Sequence, residues 1–353
     1  MAASEWTPGL IMVAVDVVFA VMNTLIKEAT ERGLDRAVLI TLRQLVAALF
    51  MAPVAFFHDR KTRPKLTLEI CVYLFFSALL GASLTQYLFY LGMEYTSAAF
   101  ACAFLNLAPA FTFLISLPLR LESLDWKTKP GLAKALGVFL CFLGVTVLTF
   151  YQGPALQLSH AFRRTPRGRP ERESYSPSGK WLRGSAALLG GSFCWSSWFP
   201  LQAKVGKKYP AIYTSTAVIF FLGFLQAAAV SLVTSRGRIS AWLLEDKLEI
   251  GTVFFAGALG SGVGFLAMSW CVEQRGPVFT AAFTPLVQII VAAIQFLFLH
   301  QQIFLGSVLG SILVILGLYS LLWAKRNEAH LLQPKPQRPI EAHEQSQQAQ
   351  PQV

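Results

Sequence analysis

Ten stretches of about twenty apolar residues follow one another along this chain, separated by short polar joints. A helix needs about 20 apolar residues to cross the hydrocarbon core of a bilayer, and lipid obliges each segment to satisfy its own backbone amides. The chain is thereby constrained to an all-α integral membrane fold. Its ten transmembrane helices are expected at 9 to 26, 36 to 57, 69 to 90, 98 to 119, 132 to 151, 184 to 203, 211 to 233, 250 to 271, 277 to 299 and 303 to 323. Composition agrees, with 54% hydrophobic and 14% charged residues, against roughly 45–50% and about 25% in soluble chains. That balance excludes a disordered chain and argues against a soluble enzyme. The formal charge of +11 sits in joints and tails, which reads as a topology signal and not as a nucleic-acid surface.

Between the fifth and sixth spans, residues 152–183 hold Arg163, Arg164, Arg167, Arg169 and Arg172 with prolines and serines and almost no aliphatic side chains. Such a segment cannot bury a core and reads as a basic disordered linker. It divides the spans five and five, so residues 1–151 and 184–324 are read as two repeats, followed by a disordered tail at 325–353. A faint internal match supports duplication: Glu94, Phe100, Ala103 and Phe104 overlay Glu273, Phe279, Ala282 and Phe283 in a constant register. Each match is followed by a span with paired glycines, Gly137 and Gly144 in one half and Gly310 and Gly317 in the other. Five spans per repeat would invert one half relative to the other, the arrangement that builds midplane sites in many secondary transporters. The first span lacks a basic flank and a small-residue cleavage site, so it reads as a retained helix. Counting Lys and Arg in the joints places both termini in the cytoplasm.

Polar side chains within the spans should face the bundle interior or a wet cavity. Asp16, Asn23 and Lys27 fall on one stripe of the first span at 100° per residue. Two readings stay open: Lys27 reaches the headgroups while Asp16 pairs with a basic neighbour such as Arg43, or Asp16 serves a substrate or a proton. Thr280, Thr284, Gln288 and Gln295 share a wall of the ninth span, and Cys102, Asn106 and Ser116 a side of the fourth. Pro109 and Pro285 cannot donate to the carbonyls four residues earlier, which breaks the ladder of both helices near midspan. Gln86, Gln202 and Gln226 suit interhelical hydrogen bonds. Trp195, Trp198 and Trp270 suit interfacial anchors. The glycines at 257, 260, 262 and 264 suit close helix packing, since no strand precedes them.

No phosphate-binding loop, nucleophile elbow, metal spacing of histidines or CxxC pair is present, so neither an ATPase, an enzyme nor a metal or cofactor site is expected.

Several strings, in order along nearly the whole chain, carry a resemblance. They are Arg43-Gln44, Phe57-His58-Asp59-Arg60-Lys61, Arg63-Pro64-Lys65-Leu66-Thr67, the run from Gln86 to Ala98, the run from Asn106 to Phe113, Cys194-Trp195-Ser196, Tyr209-Pro210-Ala211, Gly276-Pro277-Val278-Phe279 and Gly317-Leu318-Tyr319. The set resembles the plant nodulin-like branch of the drug/metabolite transporter superfamily, the EamA-domain family that includes the "walls are thin" and UMAMIT proteins. The resemblance implies a ten-helix, two-repeat facilitator whose relatives move amino acids or auxin across the plasma membrane or the vacuolar membrane. It also implies an acidic residue where the ninth span ends. Glu122 supplies it in the first half, whereas Gln301 stands in the second.

The expected function is a secondary carrier or facilitator that moves a small amphipathic metabolite by alternating access. Asn23, Asn106, Thr284 and Gln288 would bind its polar groups, Gln86 and Gln202 would close the polar ring, and Trp198 and Phe283 would form apolar walls. Asp16 would couple movement to protons, with Arg43 and Glu122 as further coupling or gating groups. The competing class is a non-transporting membrane receptor or scaffold that displays the basic linker and the Gln/Pro-rich tail.

Overall fold

The computed structural model describes residues 6–61, 63–95, 104, 107–122, 127–151, 179–234, 242, 244, 246–299 and 305–332. Asn106, Cys102, Gln301 and residues 152–178 of the expected linker lie outside the described residues, as does the side chain of Gln295. Every regular element among the described residues is helical, and no strand forms there. In chain order these are α1 (Thr7–Glu31), α2 (Arg36–Asp59), α3 (Leu68–Ser77), α4 (Leu84–Tyr95), α5 (Ala108–Ser116), α6 (Lys129–Phe150) and α7 (Gly179–Lys208). They continue with α8 (Ile212–Thr234), α9 (Lys247–Phe255), α10 (Gly264–Arg275), α11 (Pro277–Ala282), α12 (Thr284–Leu299) and α13 (Leu305–Leu332). Five continuous stretches among the described residues are long and apolar enough to cross a bilayer: Thr7–Thr30, Arg36–Asp59, Leu68–Met93, Ile212–Val233 and Lys247–Arg275.

The helix starts follow local chemistry. Side-chain oxygens of Asp35, Thr67, Thr128 and Asp246 accept from the free amides that open α2, α3, α6 and α9, which lipid-embedded helix ends need at their aqueous edges. Two helix edges depart from expectation. α7 begins at Gly179, inside the segment read as linker, and α13 runs to Leu332, inside the segment read as tail. Hydropathy marks where a span leaves lipid, but the helix continues to Leu332 through good helix formers such as Ala324, Lys325, Arg326, Glu328 and Ala329.

α3 and α4 are joined by a π-helical turn at Ala78–Ser83, and α9 and α10 by another at Ala256–Val263. Each widened turn lies in a small-residue run, where the extra residue per turn is accommodated without bulky side chains. Each of these bent helices also forms an antiparallel zipper with one partner. Along the first, Ser77 faces Gln202, Gly81 faces Trp198, Gly191 faces Phe89 and Gly92 faces Leu188. Along the second, Cys271 faces the carbonyl of Pro8, Gly264 faces Phe19 and Gly260 faces Met22. The glycines at 257, 260, 262 and 264 thus serve close packing, as their spacing implies.

α6 and α13 form the most extensive helix pair. A Cβ on Gly137 would lie 2.8 Å from the carbonyl oxygen of Gly317, and one on Gly144 would lie 2.8 Å from that of Gly310. The helices are therefore antiparallel, and the two glycine pairs noticed in sequence meet each other. Cys141 sits at the centre of this crossing, its Sγ 3.8 Å from the carbonyl of Val314.

Candidate functional site

Midway along α7, Trp195, Trp198 and Phe199 occupy one face at helical spacing. The two indoles stack with ring centroids 5.6 Å apart and planes 9° from parallel. Phe265 of α10 meets both edge-on at 5.8 and 5.1 Å, and Phe220 of α8 meets Phe265 at 5.1 Å. Offset stacking and edge contacts are the favoured arrangements of aromatic quadrupoles. Gly81 permits the layer to close, because a Cβ there would collide with the pyrrole ring of Trp198. Met12 and Val15 of α1, Ala47 and Ala48 of α2, and Phe279 and Phe283 of the α11–α12 break belong to the same core.

Polar atoms without partners surround this apolar layer. Nε1 of Trp195, Nε1 of Trp198, Oδ2 of Asp16 and Oε1 of Gln44 are all buried and make no hydrogen bond. Leaving such an atom unpaired costs about 1–3 kcal/mol. Several other polar groups nearby are engaged. Gln44 donates through Nε2 to the carbonyl of Ala82 at 2.7 Å, at the first π-helical turn, and Arg43 donates through Nε to Oγ of Ser261 at 2.6 Å, in the second. Ser77 donates to Oε1 of Gln202 at 3.3 Å. Pro200 supplies no amide to the carbonyl of Ser196, and Oγ1 of Thr112 donates to that carbonyl from α5 at 3.2 Å. Two adjacent residues of α2 thus hold both π-helical turns against the core.

The site residues expected from sequence separate into groups. Asp16, Arg43, Trp198, Gln202 and Phe283 are buried around the aromatic layer. Gln86, Thr284 and Gln288 are half-buried, and Oε1 of Gln86 has no partner. Asn23 is exposed although it shares the stripe of Asp16, because the stripe leaves the packed core towards the Lys27 end of α1. Asn106 lies outside the described residues. The expected pairing of Asp16 with Arg43 does not occur: the guanidinium is turned to Ser261. The anchor reading of Trp198 is also corrected, since it is 0% exposed in the protein core, with the half-buried Trp195 stacked on it. Gln202 and Gln226 do make interhelical bonds, Gln226 through Nε2 to the carbonyl of Phe75 at 3.3 Å. The chain turns at Phe283 between α11 and α12, one residue before Thr284 and Pro285, so the ninth span is broken where its proline implies.

Sequence reasoning missed Gln44, Ser261 and the stacking role of Trp195. Gln44 was legible only as the neighbour of Arg43, and Ser261 lies 218 residues from the guanidinium it receives.

Glu122 is buried and accepts from Nζ of Lys134 at 3.0 Å, with both side chains 1% exposed. Three other ion pairs lie at the two opposite ends of the bundle. Arg32 bonds Glu28 at 3.0 Å and Asp246 at 3.2 Å, and Lys208 bonds Glu69. Those hydrogen bonds hold the Arg32 guanidinium and the Lys208 ammonium above their ordinary pKa values. Joints that the sequence assigns to one side therefore do meet on one side. Among the described residues no group of three His, Cys, Asp or Glu side chains converges as metal ligands.

Comparison with known proteins accords with this arrangement. The EamA-like transporter family matches residues 7–150 and again residues 182–323. WAT1-related protein At4g01440 of Arabidopsis thaliana is 46% identical over 321 residues, 91% of this chain and 87% of the relative. WAT1-related protein At3g30340 of the same plant is 43% identical over 323 residues, 92% of this chain and 88% of the relative. A solved crystal structure of a protein superposes with a TM-score of 0.67 over 90% of this chain and 99% of its own, and at 14% identity that likeness concerns the fold alone. An all-helical bundle with apolar spans, two family matches and close relatives over nine-tenths of its length leave one conclusion: the chain belongs to the EamA-like transporter family, in its plant nodulin-like, WAT1-related branch.

Proposed function

We propose that this membrane transporter is a secondary carrier or facilitator for a small amphipathic metabolite, with amino acids and auxin as the leading cargo classes. The carrying observation is the buried aromatic layer ringed by unpaired polar atoms. Stacked indoles offer flat apolar walls, their two Nε1 groups offer donors, and Oε1 of Gln44 and Oδ2 of Asp16 offer acceptors. A cargo with an apolar body and a charged or amide end would satisfy both kinds of surface. Gln202, Phe283, Thr284 and Gln288 extend the lining, and Asn23, Gln86 and Asn106 are the further residues proposed to bind the cargo's polar groups.

Ten spans in two inverted repeats, residues 1–151 and 184–324, provide the alternating access. Support comes from the double family match and from the geometry. The two bent helices each carry a π-helical turn and each zip against the helix that heads the opposite half, and α6 crosses α13 antiparallel through matching glycines. Asp16 is the proton-coupling group. Its burial without an arginine or lysine partner supports that role, since an acidic side chain inside a span marks a functional position. Both termini face the cytoplasm, with the protein in the plasma or vacuolar membrane.

Counterflow in proteoliposomes tests the reading. Vesicles preloaded with unlabelled amino acids or indole-3-acetate should accumulate the labelled form faster than protein-free vesicles. Absence of counterflow for both classes overturns the cargo assignment.

A further inference from the structure

We propose that the cleft between the α2–α3 loop and the end of α7 binds the phosphate of an anionic membrane lipid. The cleft measures about 350 Å³ and is lined by Arg63, Pro64, Lys65, Leu66 and Tyr209. At about 30 Å³ per water it holds roughly a dozen water volumes, room for a phosphate and its glycerol. Arg63 and Lys65 are exposed and have no ion-pair partner among the described residues.

The acids that could neutralise them are already engaged. Asp59 is buried, and its Oδ2 accepts from the backbone N–H of Thr214 at 2.7 Å and from its Oγ1 at 2.8 Å. Glu69 is taken by Lys208, whose ammonium also lies 4.9 Å from the ring centroid of Tyr73. Arg60 lies over the ring of Phe56 at 5.2 Å, while Lys61 and Lys207 are exposed. A forked guanidinium and a mobile ammonium facing one cleft suit a phosphate.

Loop charge alone would follow from topology. What topology does not require is a cleft in which Arg63 and Lys65 of one segment line the same space as the buried Tyr209 of a sequence-distant one. Burial raises the pKa of the Tyr209 phenol, with Arg63 acting in the opposite direction, so the guanidinium lies close enough to couple to it. The surroundings favour a lipid over a free anion. Leu66 is 50% exposed and Leu68 82% exposed beside the cleft, an apolar skirt that acyl chains would cover.

The full-length protein in nanodiscs of phosphatidylcholine, with and without phosphatidic acid, provides the test. Native mass spectrometry should detect retained phosphatidic acid, and the thermal midpoint should rise when it is present. Each cation near a charged headgroup contributes about five-fold in affinity, so Arg63→Gln with Lys65→Gln should weaken retention about twenty-five-fold. The charge-conserving pair Arg63→Lys with Lys65→Arg should keep most of it, and Arg32→Gln, at the opposite end, should change nothing. Retention unaffected by the double neutralisation, or weakened equally by Arg32→Gln, overturns the site. Stabilisation by inorganic phosphate equal to that by phosphatidic acid overturns the lipid assignment.

Discussion

Replacing Lys134 by methionine strips the buried Glu122 carboxylate of its ammonium while nearly conserving volume. Both side chains are 1% exposed and 3.0 Å apart, so water has little access to the charge left behind. Removing one partner of a buried pair costs about 3–5 kcal/mol, whereas replacing both with uncharged groups is often neutral or stabilising by about 1–4 kcal/mol. The two single variants, Lys134→Met and Glu122→Gln, should therefore unfold well before the wild type. The double variant should recover to within about 1 kcal/mol of it, giving a coupling of about 3 kcal/mol or more. Tryptophan fluorescence during thermal unfolding in nanodiscs measures the order of the four proteins. Transport by the same four separates structure from gating: a structural pair leaves the double variant at wild-type flux, whereas a gating pair does not. If the double variant is no more stable than the worse single variant, the two charges do not compensate each other and the reasoning fails.

Asp16→Asn should abolish the pH dependence of uptake while leaving counterflow; a pH profile unchanged in the variant removes Asp16 from coupling. Trp198→Phe keeps an aromatic ring in the core but deletes one indole N–H, so KM for cargo should rise by about five- to tenfold, the equivalent of one hydrogen bond of about 1–1.5 kcal/mol, with little change in maximal flux. Gly317→Ala places a Cβ 2.6 Å from the backbone nitrogen of Cys141 and 2.8 Å from the carbonyl of Gly137. Neither backbone atom can rotate away, so α6 and α13 must separate at a cost of about 1–3 kcal/mol, read as a lowered thermal midpoint.

The sequence by itself determined the membrane class, the family, and most features that depend on a single segment. Apolar length marked the five stretches among the described residues that can cross a bilayer, Pro285 stands beside the break between α11 and α12, and small-residue runs forecast close packing. All of these follow from transfer free energies and backbone rules summed along a local stretch. The site was different. Helical periodicity places Asp16 and Asn23 on one stripe, yet one is buried and the other exposed, because a face carries no information about where neighbouring helices begin and end along it. The same arithmetic offered Arg43 to Asp16, whereas the guanidinium found Ser261 across the bundle and Gln44 found the carbonyl of Ala82. Trp195 and Trp198 read as interfacial anchors, and Trp198 also as an apolar wall, until Phe265 was brought against both and Gly81 against Trp198. Only tertiary packing decided these partners. Hydrogen bonds and ring contacts act over a few ångströms between side chains dozens to hundreds of residues apart, and it is the mutual register of the helices that selects which of many equally permitted pairs come within that range.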